Sequence, residues 1–394
     1  MTGAPLRLGV LGLGAVAQAV HLPLLAKRRD LYTIAAVADL SAEVTDLVGD
    51  RFGVPGNRRF HNLTDLLDAG DLDAVMILAR GSHAPEVRQV FERGLPVFCE
   101  KPLAYTLAEI DDLAGVGGRI LLGYMKQYDP AVIAAERALA GVDDIRSIEA
   151  TVLHPTGASQ LAPFRVAGPS TPLPAYLQEA GDAADRALWR DAVGEADESL
   201  WRAYRGCLVS SLAHDLSVMR GLGARPATVD HADIWRQSSR HARREVGRDR
   251  KSFGEHPPSI SATGTLAGGG RYALAWHYLP DFPAYRETVR VVHGRGTVEL
   301  TFPSPYLLHA PTELVVTTLD GDAEHRVVRR SVTEAFETQL EAFHAFVREG
   351  TPPRSGLAEG RADVLTCQQI VAAYAARTGT PVGGEVGRLV KERL

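Results

Sequence analysis

An α/β N-terminal domain built on a doubly wound parallel sheet, followed by an α+β C-terminal domain with a large, mostly antiparallel open sheet, is the fold class this sequence predicts. Three observations predict it. An apolar run, Leu6 to Leu11, passes directly into Gly12-Leu13-Gly14-Ala15-Val16-Ala17 and a helical stretch. Apolar runs and helical stretches then alternate as far as about residue 125, the pattern of parallel strands joined by crossover helices. Beyond that point, strand runs are punctuated by His293-Gly294-Arg295-Gly296 and Asp320-Gly321-Asp322, which read as hairpins. The domains are placed at 1–125 and 126–394.

The first turn has the form G-x-G-x-x-A. Gly12 makes the turn, Gly14 lets the backbone approach a pyrophosphate, and Ala15 and Val16 open the helix whose N-terminus faces it. Ala17 permits close packing of that helix on the strand. A second strand, Thr33 to Ala38, ends in Asp39, at the distance expected of the acid that holds an adenine ribose. Capping the next helix is the alternative role for Asp39. Leu40 and Ser41 follow, with no arginine to receive a 2′-phosphate, so NAD is favoured over NADP.

Leu72 to Ala79 reads as the next parallel strand and brings Ala79 and Arg80 to the same cleft. His83 either lines that cleft or caps the helix from about Pro85 to Arg93. Leu95 to Glu100 is a further strand, and it stops at Lys101 because Pro102 lacks an N–H and restricts the residue before it. The Lys101–Pro102 bond is a candidate for the cis form. A charged amine thus stands at the carboxyl edge of the sheet, where open α/β folds bind their ligands. A helix over about Leu107 to Gly115 and a short strand over Arg119 to Gly123 complete the domain.

In the second domain, a helix is expected over Ala131 to Ala140. Strands are expected over Ile145 to Val152, Arg271 to Tyr278, Val289 to Phe302 and Leu314 to Val328. Two helices close the chain, from about Val332 to Glu349 and from Leu357 to Arg377. Pro155 to Tyr176 and the acid-rich Gln178 to Leu200 read as irregular. Arg236 to Lys251, with seven basic residues, reads as a solvated loop. Cys207 to Gly221 reads as a helix carrying His214, with Asp215 beside it.

Composition adds exclusions. The 394 residues are 45% hydrophobic and 23% charged, with net charge −5, which favours neither nucleic acid nor an anionic membrane as partner. No apolar run approaches a membrane span and no secretory leader is evident, so a cytoplasmic protein is expected. Cys99, Cys207 and Cys367 are distant from one another, and no metal site is expected.

Taken together, the glycine motif, His21-Leu22-Pro23, Asp39, Glu100-Lys101-Pro102, the stretch Gly123 to Pro130 and the helix around His214 resemble the oxidoreductases of the glucose–fructose oxidoreductase, inositol dehydrogenase and MocA family. The resemblance covers nearly the whole chain. It implies that Lys101 sits beside the nicotinamide and the substrate hydroxyl, with Glu100 next to it. It also implies that His214 is a general acid/base, and that the open second sheet makes a homodimer or homotetramer. The chain departs from the family at Ser210, four residues before His214, where an aspartate is usual. A serine hydroxyl can orient the imidazole but cannot stabilise its charged form. Lys126, Tyr128, His154 and Asp215 are further candidates for the substrate side, with packing as the alternative for Tyr128.

An NAD-dependent oxidoreductase follows, acting on a secondary alcohol or ketone of a sugar, cyclitol or related polyhydroxylated compound. Two alternatives stand beside it. One is a redox-neutral epimerase or eliminase that keeps its NAD bound; the other is a non-catalytic dinucleotide-binding regulator.

Overall fold

The computed structural model describes residues 4–236 and 257–393. Six parallel strands form the first sheet: β1 (Leu6–Leu11), β2 (Tyr32–Ala38), β3 (Arg59–Phe60), β4 (Ala74–Ile77), β5 (Val97–Cys99) and β6 (Ile120–Leu122). Their order, β3-β2-β1-β4-β5-β6, makes it a doubly wound sheet. The direction of winding reverses between β1 and β4, and a crevice opens there at the carboxyl ends of the strands. β4 and β5 are apolar throughout, and β1 is apolar but for Arg7 at its start, because helices cover both faces. The two-residue β3 carries no readable pattern and was not expected.

The second sheet has eight strands. They are β7 (Ile145–His154), β8 (His231–Trp235), β9 (Ser259–Thr265), β10 (Arg271–Tyr278), β11 (Arg286–His293), β12 (Gly296–Phe302), β13 (Glu313–Asp320) and β14 (Ala323–Arg330). The order is β14-β13-β12-β11-β7-β10-β9-β8, antiparallel except where β7 pairs with β10. Both expected hairpins form, β11 with β12 and β13 with β14. Strands β8 and β9 extend the sheet beyond what the sequence patterns indicated.

Three expectations need correction. The acid-rich stretch is not irregular: Ala175–Val193 is a helix of 19 residues, with only Ala192 and Val193 buried. Its acids line a solvated helix face, which leaves little apolar periodicity to read. Three helices, not two, close the chain: Ala335–Glu349, Leu357–Thr378 and Gly384–Arg393. The last is polar, and it docks through Glu385, which accepts the amides of Leu107 and Ala108 at 2.8 and 3.0 Å. Finally, the chain boundary at 125 is not a boundary in space. Phe336, Leu340, Phe343 and Phe346 of the first closing helix pack into the core of the first sheet.

The basic stretch 236–251 lies, beyond Arg236, outside the described residues. Among those described, no helix is long and apolar enough to cross a membrane.

Candidate active site

The first half of the site is the turn after β1. Gly12 has φ +88°, and a Cβ there would lie 2.5 Å from the amide nitrogen of Ala79 at the end of β4. A Cβ on Gly14 would meet nothing within 4 Å, so that glycine borders open space. Ala15 and Val16 begin the helix. Asp39, at the end of β2, accepts the amide of Leu13 at 2.9 Å and that of Ser41 at 3.0 Å. The helix that follows is capped by Ser41, whose hydroxyl accepts from Val44, so Asp39 is not the cap. An open glycine, a helix N-terminus and a carboxylate at the second strand's end fit a dinucleotide.

The ends of β4 and β5 form the next wall. Ala79 is half-buried and Arg80 exposed. His83 is buried, its Nδ1 2.8 Å from the Glu100 carbonyl and its Nε2 2.8 Å from the Ala79 carbonyl. It occupies the N-cap position of its helix without making a side-chain cap. His83 therefore ties two strand ends together, a structural task beneath the cleft. Glu100 is buried against His21, whose Nε2 lies 2.9 Å from Oε1. Burial opposes ionisation of Glu100, but the His21 contact and the nearby Lys101 charge outweigh it and hold the carboxyl below its usual range. The Lys101–Pro102 peptide is cis.

Lys101 faces the second domain. Burial lowers its proton affinity, Glu100 opposes that, and the Lys126 charge adds to the lowering. Lys126, in the turn Met125–Tyr128, pairs with Glu287 of β11 inside the protein. The hydroxyl of Tyr285 donates to the same Glu287 oxygen at 2.5 Å. His214 is buried at the start of the helix Ala213–Gly221, and its Nδ1 has no partner among the described residues. Burial first, then the charges of Lys126 and Lys101, push it well below the usual histidine range, so the ring is neutral near pH 7. His154, at the end of β7, places Nδ1 2.6 Å from the Pro155 carbonyl and stacks near Trp276. Burial and both lysines lower its affinity as well.

Lys101, Lys126, His154, His214 and Asp215 thus come together, and Tyr128 does not join them. Its ring packs in the core of the first sheet, and its hydroxyl accepts the Arg354 amide at 3.2 Å. Ser210 does not orient His214 either. The chain through Ala203–Leu212 is wound wide, and the Ala213 amide reaches back five residues to Leu208. The spacing of four on which that expectation rests is therefore broken. Ser210 donates to the Arg205 carbonyl at 2.6 Å, and Ser211 accepts from the Trp276 indole at 3.0 Å.

Sequence reading missed Glu287 and Tyr285. A signal for Glu287 existed: it shares strand parity with buried Val289 and Val291, so its side chain points into the core. It missed, too, a strap over the crevice from the second domain. The carboxamide of Gln18 donates to the Ala167 carbonyl at 2.9 Å and accepts the Ala167 amide at 2.7 Å. Ser170 donates twice to Glu43, at 2.8 and 2.9 Å. Asp185 lies beside Gly81 and pairs with Arg205 at 3.1 Å. The helices that follow β1 and β2 and the loop after β4 are all touched.

Residues 6–116 match the sequence model of a family described as "Oxidoreductase family, NAD-binding Rossmann fold". Inositol 2-dehydrogenase 2 of Paenarthrobacter aurescens (strain TC1) is 35% identical over 147 residues, which is 35% of this chain and 43% of that protein. This chain spans less than half the length of the curated relatives it matches. The fold is similar to that of aldose-aldose oxidoreductase from Caulobacter crescentus, solved with glycerol (TM-score 0.67, 21% identity, 95% of this chain and 98% of that one). It is similar also to a 3-ketoreductase from Actinomadura kijaniata, solved with TDP-benzene and NADP (TM-score 0.65, 17% identity, 94% and 98%).

Proposed function

Because the chain belongs to the glucose–fructose oxidoreductase, inositol dehydrogenase and MocA family, we propose that it is an NAD-dependent oxidoreductase. Its substrate is a secondary alcohol or ketone of a sugar, cyclitol or related polyhydroxylated compound. One observation carries this reading: Lys101, Lys126 and His214 converge at the sheet edge that also bears the glycine turn. Gly12, Gly14, Ala15, Val16 and Asp39 would hold the dinucleotide, and Asp39 without a following arginine favours NAD over NADP. When bound, the nicotinamide accepts or supplies the hydride at the substrate carbon.

The chain's own residues manage the proton. The Lys101 ammonium donates a hydrogen bond to the substrate oxygen and favours negative charge developing there. Neutral His214 takes the hydroxyl proton, and returns it in the reverse direction. His154, with Nδ1 turned to a backbone carbonyl, borders the same space. The exposed Leu319, Val328 and Val332 on and beside β13 and β14 are consistent with assembly through that sheet as a homodimer or homotetramer.

The strap favours a second reading. A segment fastened to the connections that follow three strands of the crevice would slow exchange of the dinucleotide, which suits a redox-neutral reaction on permanently held NAD. Cofactor content by mass spectrometry, with NADH formation against a panel of inositols and sugars, tests both. Turnover of added NAD with one panel member supports the dehydrogenase. Product formed without NADH release from protein that retains NAD supports the neutral cycle. Absence of dinucleotide binding overturns both.

A further inference from the structure

We propose that Asp215 and Glu287 share one proton, forming a neutral acid–carboxylate pair that positions Lys126 and keeps its charge directed at Lys101 and His214. The pair deepens the oxidoreductase reading and rests on it for its catalytic consequence only.

Hydrogen-bond accounting leads to the pair. Oε2 of Glu287 has two donors, the Lys126 ammonium and the Tyr285 hydroxyl. Oε1 of Glu287 and both oxygens of Asp215 are buried with no donor among the described residues. Both residues are 0% exposed, and after burial itself the Glu287 carboxylate is what most favours a proton on Asp215, by its charge and by a hydrogen bond it would accept. Three orphaned oxygens on two neighbouring carboxylates would leave buried charge without donors if both were ionised. A proton on Asp215 removes the difficulty: it is donated to Glu287 Oε1, and one negative charge remains to balance one lysine. Like-charged carboxylates sharing a site titrate apart in this way.

The charge balance reaches the site. Lys126, Tyr285 and Glu287 act on Asp215 from the turn after β6 and from the start of β11. His214 adjoins it on its own helix, and the charges of Lys126 and Lys101 reach both His214 and His154. With Asp215 neutral, Lys126 and Lys101 both weigh against the imidazolium, and the imidazole stays uncharged. An ionised Asp215 would cancel one lysine and favour the imidazolium. Asp215 and Glu287 are positioning residues; neither reaches substrate.

Infrared spectroscopy of the full chain labelled with 13C-aspartate tests the pair without reference to turnover. A label-sensitive band of a protonated carboxyl is expected at neutral pH, lost in Asp215→Asn and shifted in Glu287→Gln. The absence of that band, or its persistence in Asp215→Asn, overturns the pair. Kinetics supply a second reading. Asp215→Ala is expected to lower kcat by about 10- to 100-fold. Asp215→Asn, which can still donate to Glu287, should recover most of that loss. An Asn variant as impaired as the Ala variant, or one that does not fold, also counts against a neutral Asp215. A wild-type protein with the band but without nicotinamide-linked turnover would retain the pair and remove the oxidoreductase reading instead.

Discussion

The carboxylate of Asp39 accepts the backbone amide of Leu13 at 2.9 Å, so the end of β2 is fastened to the glycine turn after β1. The side chain that would hold a ribose therefore also fixes the turn that would hold the phosphates. Removing it has two consequences. Asp39→Ala should raise the KM for NAD by about 10- to 100-fold, the value of losing hydrogen bonds to a charged group. Asp39→Ser with Leu40→Arg should shift preference toward NADP, since a guanidinium can receive the 2′-phosphate. Steady-state kinetics with both cofactors checks this. Unchanged KM for NAD in Asp39→Ala would place the ribose elsewhere.

Lys126 lowers the proton affinity of both Lys101 and His214. The proposed mechanism has His214 unprotonated and Lys101 protonated during alcohol oxidation, so kcat/KM should rise on an acid limb and fall on an alkaline one. The acid limb belongs below the ordinary histidine value of 6.5, and the alkaline limb below the lysine value of 10.5. Taking away a positive charge favours the protonated form of each. Lys126→Gln should move both limbs to higher pH, with the optimum following. A profile that narrows, or moves to lower pH, contradicts this electrostatic role.

Asp215 supplies a stability test with a definite sign. Burial, then the neighbouring Glu287, raise its folded-state affinity well above the ordinary 3.8. Between 3.8 and the folded value, the native protein holds a proton that the unfolded chain has released. Wild-type stability therefore falls as pH rises through that window. Asp215→Asn removes the linkage. In urea unfolding its advantage over wild type should be larger at pH 8 than at pH 5, and an advantage independent of pH would contradict a protonated Asp215.

The first domain was legible because its longer strands are largely apolar runs closed by a turn residue, and because Pro102 keeps the chain after β5 from continuing as a strand past Lys101. Helix Ala175–Val193 was not, since a helix that buries only its last residues shows no apolar stripe. The site was half legible. Lys101 announces itself by its neighbours in sequence. Lys126 and Glu287 are 161 residues apart, and only the second sheet brings them together. The widened turn before His214 has no signature in the residues themselves, so the environment of the imidazole could not be read from the spacing of Ser210.

Gly12 tests how tightly the turn is packed. At φ +88° a side chain is strained, and its Cβ would overlap the backbone of Leu78 and Ala79, which cannot yield. Gly12→Ala should destabilise the protein by about 2–5 kcal/mol, combining left-handed strain with overpacking. Gly14→Ala meets open space in the protein. Its effect should fall on dinucleotide affinity, with the melting temperature nearly unchanged. Thermal melts and cofactor titration of the two variants separate these outcomes; equal melting temperatures would show that the turn relaxes.

The redox-neutral reading makes the strap the element that sets the rate at which a dinucleotide leaves. Gln18 holds Ala167 through a paired donor and acceptor, the pattern of one rung of a sheet. Its carboxamide also donates to the Leu13 carbonyl at 2.6 Å, which anchors the strap to the glycine turn itself. Gln18→Ala breaks all three bonds while leaving Gly12, Gly14 and Asp39 in place. Each such bond is worth about 0.5–1.5 kcal/mol net, so the opened form gains roughly 1–3 kcal/mol after partial replacement by water. NADH dissociation, followed by loss of its enhanced fluorescence on mixing with excess NAD, should accelerate by about 5- to 100-fold. The association rate should change much less. An unchanged dissociation rate would mean that the dinucleotide leaves without the strap moving, and the case for a permanently held cofactor would lose its structural basis.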